Sequence, residues 1–419
     1  MKPSTVSRIA TLDLIRGVAV LGILAINIAG FAGPPASVYS PFALGPASPI
    51  DAAVHGAELV IFEGKMRALF ALLFGASMEL FVTRAEDHGR DGQALQLRRL
   101  LWLALFGYLH FLLFWWGDIL FSYAIAGIAA LALRQMPGRA LLATALLIFT
   151  GYQIDGVHDE LRPALVEARV SAGTASPAEA QSVAAAEAET TNRARTDLAQ
   201  VRQGFVPQLA SKLTDHPFAP VRSAWFEFGE ALPYMLIGGL LLRTGFFSGG
   251  WTARRLGWTA GAGIALGGAA TVGFALWAWA HDFPFAAMHV ALDYALGIPH
   301  LLMALGYAAL LVLCASSMLS TWLGHRLQTA GRMAFSNYIG TTIVMTAIFY
   351  GWGLGLVGRV GSAAQVGFVL VGWALMLGAS SWWLARFRQG PLEWLWRSLT
   401  EGRMLPLRLS ATPPPTPRA

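Results

Sequence analysis

The sequence predicts an all-α polytopic membrane protein of about ten transmembrane helices, with both termini cytoplasmic, and three observations predict it. Of the 419 residues, 55% are hydrophobic and only 13% are charged, with a mean hydropathy of +0.53; ordinary globular chains carry about 25% charged residues. Apolar runs near the ~20 residues that a bilayer core requires recur along the chain. The arginines and lysines gather in alternate connections between those runs, as the positive-inside rule demands.

Taken in order, the apolar runs fall at 13 to 32, 62 to 83, 98 to 116, 118 to 134, 139 to 155, 223 to 243, 256 to 280, 293 to 317, 334 to 352 and 362 to 385. Starting from a cytoplasmic N-terminus, alternation puts Lys2, Arg8, Arg84, Arg90, Arg98, Arg99, Arg134, Arg139, Arg243, Arg254, Arg255, Arg326, Arg332 and the C-terminal arginines from Arg386 to Arg418 inside. The short outer loops keep little more than Arg359. A net charge of +6 is therefore read as orientation, and nucleic-acid binding gains no support. The lipid bilayer is the first partner, and a homodimer is left open.

The chain divides into a membrane half at 1–155, an extramembrane helical insert at 156–222, a second membrane half at 223–400 and a flexible cytoplasmic tail at 401–419. The insert, counted from Asp155, holds nine acids and seven bases, and its stretch from Ala178 to Gln200 is rich in helix-forming alanine and glutamate. The tail from Thr412 to Pro417 is proline-rich and cannot form a core. No internal repeat relates the two halves, which weakens an inverted-repeat transporter reading. The single cysteine, Cys314, lies in an apolar run, so no disulfide framework or cysteine metal site is available. No metal-binding histidine motif occurs, and no metal is expected.

Polar groups at membrane depth are costly and mark functional candidates. Asp13 and Arg16, three residues apart, share a helix face. Asn27, eleven residues beyond Arg16, projects from nearly the same side about three turns further on. Glu63, Lys65 and Arg67 open the second span, where the bland reading is an interfacial cluster snorkelling to water. His110 and Asp118 are eight apart and meet on one face if the helix continues, giving an imidazole whose tautomer a carboxylate fixes, as a general base needs. A lone buried histidine is more often a packing residue; the acid is what raises this one above that reading. Trp115 and Trp116 read as interfacial anchors, and Gly117 as a place where the helix can break.

Elsewhere, His55 lies in the first outer loop, and Asp293 and His300 flank Pro299, which is expected to kink span eight. Ser336, Asn337 and Tyr338 are read as groups that satisfy one another across helices.

Several strings together resemble the YeiB-like family of bacterial inner-membrane proteins, a family built on a domain of unknown function. They are Leu12-Asp13-x-x-Arg16-Gly17, Leu69 to Gly75, His110-x-x-x-x-Trp115-x-Gly117-Asp118 leading to Tyr123, Gly331-Arg332-Met-Ala-x-x-Asn337-Tyr338, and Gly390-Pro391-x-Glu393-Trp394-x-Trp396-Arg397. The resemblance covers most of the chain except the insert, and implies a multi-pass protein of the bacterial inner membrane. The first helix is also similar to the start of heparan glucosaminide N-acetyltransferase, through Leu12-Asp13-x-x-Arg16-Gly17 and Asn27. That similarity implies a transmembrane acyltransferase with acetyl-CoA or another acyl-CoA as co-substrate, and an acceptor such as a cell-envelope glycan or a small molecule.

On this reading Asp13, Arg16 and Asn27 bind the donor, and His110 with Asp118 is catalytic. Glu63, Lys65, Arg67, His55, Tyr123 and Asn337 are acceptor or cavity residues. The sequence departs from the heparan enzyme where that enzyme's catalytic histidine follows the first span in an outer loop; here only His55 occurs in that stretch. Two other classes stay open: a transporter or channel whose path the same polar face lines, and a structural partner in which these groups only lock helices. A tunnel passing Arg16 and Asn27 and ending near His110 separates the first from the others.

Overall fold

A computed structural model describes residues 5–409, with side chains described from Ala10. Lys2, Arg418 and the proline-rich stretch 412–417 fall outside the described residues, as does the side chain of Arg8. The described chain is helical, and its only β pairing is an isolated bridge between Phe387 and Arg408.

The described chain opens with α1 (Thr5–Ala32), α2 (Pro49–Ile61), α3 (Lys65–Asp87), α4 (Gly92–Leu113), α5 (Leu120–Leu133) and α6 (Gly138–Ser171). Then come α7 (Pro177–Val201), α8 (Phe205–Thr214), α9 (Ala219–Arg243), α10 (Ala253–Ala280) and α11 (Phe285–Val290). A π-helical turn over Ala291–Ala295 leads into α12 (Gly297–Leu319), followed by α13 (Trp322–Arg332), α14 (Ala334–Phe349), α15 (Ser362–Leu384) and α16 (Pro391–Glu401). Every apolar run read from the sequence falls mainly on helix, those at 98–116, 118–134 and 334–352 overrunning the helix ends by two or three residues. Among the described residues, six stretches are long and apolar enough to cross a membrane: 10–32, 49–87, 138–171, 253–280, 297–319 and 362–384.

The most apolar stretch of α1 is 78% buried within the protein, against 22% for those of α6 and α15, so α1 is the central post and the others form its wall. Its tightest neighbour is α13. A Cβ on Gly17 would sit 1.9 Å from the Leu327 carbonyl oxygen, and one on Gly331 1.8 Å from that of Asp13. Only hydrogen fits at either place, so these two motif glycines set a backbone-to-backbone joint of the small-residue kind that packs membrane helices. The same device joins α3 to α9 through Gly75 and Gly238.

Three local expectations change. The helix does not continue from His110 to Asp118: α4 ends at Leu113 and the chain turns through Trp115 to Ile119, where the Asp118 carboxylate accepts the Phe121 amide at 2.9 Å and starts α5. Trp115 is no interfacial anchor; it is 3% exposed, packs on Phe31 at 4.3 Å and donates to the Gly30 carbonyl. In span eight the break precedes Pro299, which falls in the first turn of α12 where a missing N–H costs nothing.

Within 156–222, the boundary expected at 155/156 falls inside α6, which runs on to Ser171. A capping box of Ser176 and Glu179 opens α7. The insert then returns to the body: Val201 accepts from Gly351, and Lys212 of α8 donates to the Phe111 carbonyl at 2.8 Å. Residues 402–409 fold back too, with the Leu405 carbonyl accepting from the Trp394 indole.

Candidate functional site

Arg16 donates to Asp13 at 2.7 Å through Nη1 and to the Ser77 hydroxyl at 2.8 Å through Nη2. It is thereby held across α1 and α3 on the wall of a cavity of about 740 Å³. Walls come from α1, α3, α4, α5, the 331–338 stretch and α16. Seven arginines line it (Arg16, Arg84, Arg90, Arg99, Arg332, Arg388 and Arg397) against the carboxylates of Asp13, Glu393 and Glu401, an excess of four positive charges.

The chamber is graded. Arg90, Arg332, Arg388 and Arg397 are exposed, whereas Leu73, Leu103, Leu120, Tyr123 and Tyr338 are buried. Arg99 is fixed between the rings of Phe81 and Trp396, at 4.2 and 4.3 Å. Glu393 contributes no free charge: its carboxylate accepts from the backbone amides of Phe335 and Ser336 at 2.8 and 3.0 Å, capping the start of α14. A basic mouth thus leads to an apolar end closed by two tyrosines.

Behind that end lies the pair read from the sequence. His110 Nδ1 is 2.8 Å from an Asp118 oxygen, and both side chains are buried. A carboxylate can only accept, so Nδ1 carries the proton and Nε2 is left as the basic nitrogen, buried and without a hydrogen-bond partner. The Tyr338 ring stands 5.1 Å from the imidazole, and its hydroxyl reaches the Gly117 carbonyl at 3.4 Å. Tyr338 lines the chamber and separates it from His110.

The remaining sequence candidates are dispersed. Asn27 is on the expected side of α1 but borders a separate void of about 10 Å³ that shares only Tyr338 with the chamber; the packing of Phe31 and Tyr338 divides a face that the helix period makes continuous. Glu63, Lys65 and Arg67 do not snorkel. Lys65 is 0% exposed and donates to the Leu59 carbonyl at 2.7 Å, because the chain breaks at Phe62–Gly64 and folds the cluster inward. Arg67 meets Glu230 at 3.1 Å and Glu63 at 3.7 Å. His55 lies in α2 instead of a loop and packs edge-on against Phe283 at 5.1 Å. Asn337 pairs with Ser380 and the Ala330 carbonyl, locking helices, rather than with Ser336 or Tyr338. Tyr123 lines the chamber and donates to the Arg67 carbonyl at 3.0 Å, so it is the partition between the two polar regions.

Sequence reasoning missed Ser77 and the share of α16 in the wall. The terminal Gly390-to-Arg397 string was the available signal, since Trp396 and Arg397 line the chamber.

Fold and site together define an all-helical protein with the build of a polytopic membrane protein and a basic internal chamber. A family model described as "Protein of unknown function (DUF418)" matches residues 241–403. The chain is 30% identical over 403 residues to the "Uncharacterized protein YeiB" of Escherichia coli (strain K12), covering 94% of this chain and 96% of that one. It is also 30% identical over 410 residues to the "Uncharacterized protein YxaH" of Bacillus subtilis (strain 168), covering 94% and 95%. The chain belongs to the YeiB-like DUF418 family. No solved structure matches it.

Proposed function

We propose that this protein is a ten-span acyltransferase of the bacterial inner membrane, both termini cytoplasmic, moving an acetyl group from acetyl-CoA to a hydroxyl or amine of a cell-envelope acceptor. One observation carries the reading: the chamber runs from exposed arginines, past the braced guanidinium of Arg16, to Tyr338, against whose far side lies a buried histidine oriented by an acid. Arginines bind phosphate in a planar fork, and a long apolar passage suits the tail of a nucleotide thioester.

In the reaction, His110 Nε2 takes the proton of the acceptor O–H or N–H as its heteroatom attacks the thioester carbon. The C–O or C–N bond forms, the C–S bond breaks, and the proton passes to the departing thiolate of CoA. Asp118 holds the Nδ1 proton and steadies the imidazolium between the two transfers. Tyr338 has to swing aside for the thioester to meet His110. Asn27, in its separate void, has no part in this scheme.

The test is thermal shift of the detergent-purified protein with acetyl-CoA, paired with an acetyl-transfer assay. Wild type is stabilised by the ligand; Arg16→Ala abolishes that stabilisation. His110→Gln keeps it and loses turnover by about 10² to 10⁴. No shift in wild type overturns the reading and puts a transporter ahead.

A further inference from the structure

A carboxylate sits at the mouth of the chamber where local rules forbid it. Glu401 is the last residue of α16, and the C-terminal end of a helix carries partial negative charge that favours a base. What holds it there is Arg90, which grips both carboxylate oxygens in parallel, at 3.0 and 2.7 Å. Arg397 and Arg403 add positive potential, and together with Arg90 they keep the Glu401 carboxyl below its ordinary range, the Arg90 hydrogen bonds being the largest cause. Three guanidinium groups around one single negative charge leave the position under-neutralised.

We propose that Arg90 is the phosphate-binding residue of the chamber, and that Glu401 occupies the phosphate's place in the unliganded protein. The fork geometry that accepts a carboxylate accepts a phosphate equally well, and a doubly charged phosphate ester or pyrophosphate outcompetes a single carboxylate among three cations. Both Arg90 and Glu401 line the chamber, so a ligand whose head displaces Glu401 has its tail directed past Arg16 toward Tyr338. Displacement releases the Glu401 side chain alone, because the Arg98 contact to the Thr400 carbonyl at 3.1 Å and the Trp396 indole bond to the Arg99 carbonyl at 2.8 Å keep α16 attached. The ligand class is a doubly charged phosphate or pyrophosphate head on an uncharged tail, soluble nucleotide or lipid. This rests on the chamber being the donor side of the proposed reaction.

The experiment uses the full chain in detergent with three probes: inorganic pyrophosphate, CoA and dioctanoyl phosphatidic acid. Removing the internal competitor raises the fraction of binding-competent protein, so Glu401→Gln is expected to tighten pyrophosphate binding about fivefold at low salt. Arg90→Gln is expected to lose most of it. Both variants break the same Arg90–Glu401 pair, so opposite changes in affinity are not produced by its loss alone. Tighter binding of CoA than of phosphatidic acid identifies a soluble source, and the reverse a lipid. Unchanged pyrophosphate affinity in both variants overturns the proposal even if acetyl transfer is normal. If the variants diverge as expected while no acetyl transfer occurs, the phosphate position stands and the transfer reading falls.

Discussion

Two charged regions meet at Tyr123 and are built on opposite principles. On one side, the chamber sets seven arginines against three carboxylates and leaves several of them exposed. On the other, Arg67 is matched by Glu230 and Glu63, Glu230 also accepts from the Tyr234 hydroxyl at 3.1 Å, and Asp293 holds Tyr39 at 2.9 Å and His289 at 3.3 Å. Acids outnumber the one arginine there, since Asp293 and Glu227 also bear on Arg67, and the network spends that cation within the fold. The chamber has the opposite excess, seven arginines to three carboxylates, which is what an anionic ligand requires.

The largest expected effect breaks the acid-rich side. Arg67→Ala leaves Glu230 and Glu63 buried without their cation, an outcome worth about 3 to 5 kcal/mol, whereas Arg397→Ala in the exposed mouth changes stability by about 0.5 kcal/mol or less. Denaturation of the two variants in matched micelles measures the difference; equal losses would erase the distinction between the regions. A smaller effect is expected at the partition. Tyr123→Phe keeps the ring against the chamber but removes the hydroxyl's bond to the Arg67 carbonyl, costing about 1 kcal/mol, and the ligand-induced thermal shift should survive it.

The smallest effect concerns Lys212, a cation of a third kind that rests on a carbonyl instead of an acid. Burial pushes its amine down from 10.5 to about 8. Between those pH values the unfolded chain binds more protons than the folded one, so docking of α8 strengthens as pH rises from about 8 to about 10.5 and is flat below. Proteolysis within 202–204 should slow over that window in wild type and lose the dependence in Lys212→Met.

Much of this architecture was legible because it is local. Apolar runs announced the helices, and a three-residue spacing announced the Asp13 and Arg16 pair. His110 and Asp118 were paired correctly for a mistaken reason, since a turn at Phe114–Ile119 rather than a continuous helix brings them together. What stayed hidden is long-range. Nothing near Arg90 points to Glu401, nor does anything near Ser336 point to Glu393, because neither partner is close in the chain. Asn27 shows the converse: the helix period placed it correctly along α1, but neighbouring aromatic rings decided which space it faces.

The joint between α1 and α13 also sets an order of events. Arg16 and Gly331 are 315 residues apart, so the ribosome has to make most of the protein before the central post meets its partner, roughly half a minute at about 10 residues per second. Until Ser77 follows, 61 residues beyond Arg16, the Asp13 carboxylate and Arg16 guanidinium have only each other, and until residue 331 they lack the α13 contact. Their pairing is then a provisional shield that lets an incomplete chain wait, and a nascent protein arrested before residue 331 should be the form that quality-control proteases meet first.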